Sequence, residues 1–315
     1  MKKAILFALV LLSSGYLLGQ DLKTVESNLK VSVPDTLNGW RKGAVVGVNV
    51  AQTSLTNWAA GGQSSFSLNA LLSTFVKYNN KKNAWENTLD VGYGFLNQKE
   101  VKYTKKTDDK IDFMSKYGRK IAKKFYYSIM VNFKTQMTTG YKYPTDTTRE
   151  KISDIFAPAY LISAMGIDYQ PSESISIFAA PLTGRITFVN DTALSNAGSF
   201  GVSPGDKSKT EFGGYLKVVY SKGNFESKLL KNVAFTTKID LFSNYIKNPQ
   251  NIVVNWETML ALKVNEILTV NFNTQLIYDD KIKISKDTNG DGVADIEGPR
   301  VQFKEIFGVG LSLKF

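Results

Sequence analysis

The sequence predicts an all-β chain, a transmembrane antiparallel up-and-down β-barrel of about twelve strands. Three observations lead there. The chain opens on an export leader. It closes on an alternating strand that stops on an aromatic residue. Between them lie long alternating segments whose connections are long on one side and short on the other.

The leader comes first. Lys2 and Lys3 form a positive head, Ile5 to Leu12 an apolar run, and Ser13, Ser14 and Gly15 follow. This is the layout of a signal peptide over residues 1–20, with cleavage near Gly19-Gln20 and Leu17 as an imperfect residue three positions before the cut. The run is far short of the roughly 20 apolar residues that a spanning helix needs. With no Cys at the cut, a lipoprotein is disfavoured. Residues 21–41 show weak periodicity and read as a periplasmic lead-in, and 42–315 as the barrel. The expected location is the outer membrane of a Gram-negative cell.

Twelve strands are expected over 43–54, 64–78, 84–97, 110–121, 124–138, 156–170, 174–189, 210–222, 232–246, 251–264, 266–279 and 300–315. Side chains alternate along a strand, so each segment has two faces. In the third, Leu89, Val91, Tyr93 and Phe95 oppose Asp90, Gly92 and Gly94. In the fifth, Tyr127, Ile129, Val131 and Phe133 oppose Ser128, Asn132 and Lys134. The ninth sets Val233, Phe235, Thr237, Ile239 and Leu241 against Thr236, Lys238 and Asp240. In the tenth, Val254, Trp256, Thr258, Leu260 and Leu262 oppose Asn255, Glu257 and Lys263. The eleventh shows Leu268, Val270, Phe272, Thr274, Leu276 and Tyr278 against Thr269, Asn271, Asn273 and Gln275. The last carries Phe307, Val309, Leu311, Leu313 and Phe315 on one face. A soluble barrel would turn the apolar face inward; a membrane barrel turns it to lipid. Strand length, leader and terminus favour the second. Pro158 should mark the outer end of the sixth strand, and Pro181 a bulge in the seventh, because proline cannot donate to a ladder.

The connections test the strand count. One class is 55–63, 98–109, 139–155, 190–209, 247–250 and 280–299; the other is 79–83, 122–123, 171–173, 223–231 and 265. Long outside loops and short periplasmic turns are the asymmetry expected of outer-membrane barrels.

Composition narrows the chemistry. The chain has no Cys and no His. That removes Ser-His-Asp hydrolysis, a histidine general base and ordinary zinc sites, and with them a phospholipase-type barrel. An enzyme is therefore disfavoured. The formal charge is +11, of which Lys2 and Lys3 supply two, leaving +9. The lysines are scattered through turns and loops, not gathered in a stripe, so lipid phosphates suit them better than nucleic acid. Aromatic residues at 12 % suit interfacial girdles.

Three features carry candidate chemistry. Glu86, Asp90, Asp112, Asp240, Glu257 and Asp279 share the expected lumen with Lys116, Lys134, Arg185, Lys217, Lys238, Lys263 and Lys304. They read either as an ion-pair plug or as the lining of a wetted pore. Asp287, Asn289, Asp291 and Asp295, with the Val293 carbonyl and Gly292 at the turn, place hard oxygens around one point as Ca²⁺ prefers. The loop departs from an EF-hand, since Gly298 stands at the twelfth position, Glu297 comes one residue early and no helices flank it; the alternative is an ordinary Asn-Gly/Asp-Gly turn. Asn57-Trp58-Ala59-Ala60-Gly61-Gly62 reads as a hairpin loop with interfacial Trp58, or as a ligand contact at the mouth.

The Asn57-Trp58/Gly61-Gly62 hairpin, the Asp287–Asp295 loop and the aromatic end at Phe315 together resemble an exported bacterial family known only as domain of unknown function 3078, over about residues 40–315. The resemblance implies an outer-membrane β-barrel and carries no activity to transfer. Two functions stay open: a pore or transporter for small solutes, and a non-conducting envelope scaffold or subunit of a larger outer-membrane complex. The expected partners are outer-membrane lipid, the barrel-insertion machinery through Phe315, and a small solute, with no nucleic acid. No cofactor is required, and Ca²⁺ in the last outside loop is the one candidate.

Overall fold

Twelve tilted strands close into one antiparallel barrel in the computed structural model. It describes residues 38–315 apart from 56–62, 146, 224, 226, 228–229, 266–267, 287, 289–294 and 315. The strands are β1 (Gly39–Thr53), β2 (Ser65–Asn79), β3 (Asn83–Gln98), β4 (Lys105–Ala122), β5 (Phe125–Thr135), β6 (Gly140–Thr145), β7 (Thr148–Ser153), β8 (Ala159–Ser172), β9 (Ile175–Phe188), β10 (Ser208–Gly223), β11 (Val233–Asn244), β12 (Ile252–Lys263), β13 (Leu268–Tyr278), β14 (Lys283–Lys286), β15 (Ile296–Pro299) and β16 (Gln302–Lys314). Around the wall the order is β1-β16-β13-β12-β11-β10-β9-β8-β5-β4-β3-β2, and β2 pairs with β1. The hairpins β6-β7 and β14-β15 stand outside the wall in the long connections.

Each of the twelve expected strands forms. The side-to-side asymmetry holds, with turns at 80–82, 123–124 and 173–174 against connections at 136–158, 189–207 and 279–301. The connection expected over 98–109 shrinks to 99–104. Lys105 to Asp109 extend β4 instead, as a polar projection without the apolar alternation that marks a lipid-facing strand. In β1, too, the strand starts earlier than expected, at Gly39. Pro158 stands just before β8, as expected, and Pro181 sits in the predicted bulge: Thr183 faces Gly213 but Ala180 faces Tyr215. Gly166 lies beside it, where an added Cβ would meet the Ala179 carbonyl oxygen at 2.0 Å, so only glycine fits this close approach.

The apolar face points outward. Along β5, Phe125, Tyr127, Ile129 and Val131 are exposed while Tyr126, Ser128, Met130 and Asn132 are buried in the lumen. Met165, Leu182, Trp256, Phe303 and Phe307 are likewise exposed. This is the inside-out pattern of an outer-membrane barrel, since exposed apolar area of this extent must be covered by lipid. At the short-turn end Trp40 packs on Tyr78 and Trp85, with ring centroids 5.0 and 5.8 Å away, and Phe125 stacks on Tyr169 at 4.6 Å. These form part of an interfacial aromatic girdle.

Facing gives a depth test. Ile129→Arg, halfway along β5, should destabilise the barrel by about 2–4 kcal/mol, and Phe125→Arg at the strand's end by about 0–1 kcal/mol. Urea unfolding in detergent, read by the gel shift between folded and boiled protein, checks both. Equal losses would mean that β5 does not cross the membrane at this depth.

Candidate functional site

The lumen is built by every second residue of the twelve wall strands, and its charged groups fall into three tiers. Near the short turns, Lys77 of β2 pairs with Glu86 of β3 at 2.8 Å, and Lys116 of β4 with Asp168 of β8 at 2.7 Å. Asp168 also accepts from Ser176 and Gln170, both at 2.9 Å. Near the long loops, Arg185 donates to Asp279 at 2.9 Å and lies 3.7 Å from Glu211, which Lys281 reaches at 2.9 Å. The guanidinium sits over Tyr160 and Phe242.

The middle tier crosses the bore. Lys134 of β5 lies 3.4 Å from Asp112, 3.5 Å from Asp240 and 3.7 Å from Glu257. Lys110 of β4 reaches Glu257 of β12 at 3.2 Å, and Lys238 of β11 reaches Asp90 of β3 at 3.4 Å. Both of the latter pairs join strands six places apart in either direction around the wall, so each spans a diameter. Lys217 and Tyr215 complete Asp240 at 2.7 and 2.6 Å. Asn132 donates to Asp112 at 2.7 Å. A buried charge is tolerated only when paired and hydrogen-bonded, and this tier meets that condition mutually.

Twelve of the thirteen expected lumen residues belong to these tiers or, as with Lys304, pair beside them, at 2.8 Å to Asp108. Lys263 stands half-buried at the short-turn end of β12. Sequence reasoning missed Lys77, Lys110, Asp168 and Glu211. Lys110 shares the parity of Asp112 and Lys116, so the alternation itself could have found it. It also missed an apolar lumen patch of Met130, Phe178, Tyr215 and Phe242 beside Ala164 and Ala180. The inward face was expected to be small or polar; bulky residues enter because a closed lumen needs volume as well as charge.

A cavity of about 340 Å³ occupies the outer half of the lumen. Lys110, Lys134, Asp240 and Glu257 of the middle tier line it below, and Pro158, Phe200 and Ile282 of the outside connections line it above. Three further cavities measure about 40, 20 and 90 Å³. The roof over the large cavity is built. Helix α1 (Thr192–Asn196) is capped by Asp191, which accepts from Leu194 N–H at 3.0 Å and from Lys151. Leu194 and Val202 are buried with Ala157 and Val189, and Phe200 packs against them.

Of the calcium ligands expected, Asp287, Asn289, Asp291 and Val293 lie outside the described residues, as do Asn57, Trp58, Gly61, Gly62 and Phe315. Asp295 accepts from the Thr288 N–H at 3.0 Å and from its hydroxyl at 2.5 Å.

The fold and this inverted polarity define an outer-membrane β-barrel. A family model described as a protein of unknown function (DUF3078) matches residues 50–141. That segment includes the Asn57-Trp58 motif, while the Asp287–Asp295 loop and Phe315 lie outside it. No curated protein matches. Among solved structures, the translocator domain of the autotransporter NalP from Neisseria meningitidis is 8% identical, covers 93% of each chain and has a TM-score of 0.38. An outer-membrane channel from Pseudomonas putida F1 is 10% identical over 91% of this chain and 98% of its own, with a TM-score of 0.39. Outer membrane phospholipase A from Escherichia coli is 10% identical over 92% and 96%, with a TM-score of 0.30.

Two outcomes test the site. Asp168→Asn leaves Lys116 without its closest anion and should cost up to about 3–5 kcal/mol, whereas Lys116→Met with Asp168→Leu should recover most of that. A double-mutant cycle in urea measures the difference. In the roof, hydrogen bonding from Lys151, then from the Leu194 N–H, holds the Asp191 carboxyl below the usual carboxylate range. A lowered pKa contributes stability that is full above the unfolded value, about 3.9, and is lost as pH falls through the folded one. The protection of the Leu194 amide, the slowing of its exchange relative to the unstructured rate at the same pH, should therefore be high at neutral pH and fall below about pH 4. Asp191→Ala should show the low protection throughout.

Proposed function

We propose that this protein is a gated passage for small solutes through the outer membrane, exported by a cleaved leader and not an enzyme. The observation that carries the reading is the position of the 340 Å³ cavity, between outside loops and a floor made of the Lys110–Glu257 pair with Lys134 and Asp240. The floor consists of long flexible side chains, which rotate without disturbing the wall. Opening needs only an exchange of partners, and Lys134 already lies near three. The absence of His and Cys supports the non-enzymatic part.

A second reading is a non-conducting scaffold or subunit of a larger complex. The apolar lumen patch around Met130 and Phe178 favours it, because dry packing resists wetting. Bilayer conductance and thermal stability of Lys238→Gln separate the two. The passage reading expects altered conductance at nearly unchanged stability. A barrel that never conducts and melts earlier supports the scaffold. Any ion preference should fade in 1 M salt, where charges more than about 3 Å apart are screened.

The last outside loop enters the same proposal as a Ca²⁺ site on Asp287, Asn289, Asp291 and Asp295. Calorimetry should register binding at millimolar calcium, and the ion should slow nicking between residues 283 and 299. Identical cleavage with calcium and with chelator would leave a plain turn. Outer-membrane lipid and, through Phe315, the barrel-insertion machinery complete the proposed partners.

A further inference from the structure

Among the described residues the wall has one incomplete seam. The ladder between β1 and β16 runs from Val45 opposite Lys314 to Asn49 opposite Gly310 and stops there. Continued in register, Val50 would face Val309, Gln52 would face Phe307 and Thr53 would face Ile306. Among the described residues none of these pairs forms. Both strands nevertheless continue: β1 stays paired with β2 out to Thr53 and Ser65, and β16 with β13 out to Gln302 and Ile277. Each therefore holds one neighbour and turns a bare edge toward the other. Bare backbone facing lipid is strongly disfavoured, so what lies at this edge must be explained.

The surroundings say what fits. The outer lips are apolar: Val50 is 53% exposed, Phe303 62% and Phe307 66%. On the inner side, Gln302 and Lys304 line the 340 Å³ cavity, and Lys304 and Ile306 line the 90 Å³ one. Toward the periplasm the bore is crossed by the two diametric ion pairs. The cavities therefore reach β16 from the inside, where Lys304 holds Asp108 at 2.8 Å, while the apolar lips stand on the outside of the same strand.

We propose that the outer half of the β1–β16 seam is a lateral opening by which a small amphiphile exchanges between the membrane and the lumen cavity. Its apolar body would pass Phe303 and Phe307, and an anionic head would take the place of Asp108 on Lys304. The inference rests on the passage reading and gives it a solute class.

The chain has no cysteine, so Gln52→Cys with Phe307→Cys makes a unique pair across the seam. The full chain would be placed in phosphatidylcholine vesicles and titrated with dansyl-undecanoate, followed by energy transfer from tryptophan. Oxidation should zip the seam and weaken probe binding at least about tenfold, and reduction should restore it. Unchanged affinity in fully cross-linked protein would overturn the proposal. Cross-linking between two molecules would also overturn it, by making the edge an interface between copies. Should the pair impair assembly, hydrogen exchange on the unmodified protein decides. Amides 50–53 and 303–309 should exchange faster than those of β12, and equal protection would count against the opening. The Lys238→Gln conductance result is independent of the seam, so failure here leaves the axial passage to its own test.

Discussion

Lys134 sits among Asp112, Asp240 and Glu257, and the rest of the lumen is arranged around that constellation. A cation in an enclosed bore must be matched by anions that are themselves matched. Asp240 therefore takes Lys217 and Tyr215, and Glu257 takes Lys110. Because Glu257 and Lys110 stand on opposite walls, satisfying one charge ties the two sides of the barrel together. The pairing that Glu257 needs and the brace across the bore are one and the same interaction.

The wall answers a different demand. Lipid offers no hydrogen bonds, so the backbone pairs strand to strand, and apolar side chains go outward where a soluble protein would place polar ones. The bulge at Pro181 and the side-chain-free approach at Gly166 let β8, β9 and β10 bend while keeping their ladders. Among the described residues the β1–β16 ladder stops short, and β16 beside it lines the 340 Å³ cavity.

The outside connections are more structured than their polarity suggested. Two carry hairpins and one carries the capped helix α1, whose apolar side packs over the mouth. Polar composition marked them as loops. Their internal order depends on a few buried residues, Leu194 and Val202 among them, too sparse to register as a periodic signal.

The sequence by itself determined the strand number, their facing and the sides on which connections fall. A period of two is written directly in residues such as Tyr127, Ile129 and Val131, and lipid enforces it along every strand. It also placed most of the lumen charges on the inward face, since parity within a strand is local. Which cation meets which anion was decided only by tertiary structure. The Lys110–Glu257 and Lys238–Asp90 pairs join residues far apart in the chain, and their meeting depends on how twelve strands tilt and close. The same holds for the apolar patch around Phe178 and for the seam. A barrel's diameter, register and last ladder are properties of the closed ring, and no single strand contains them.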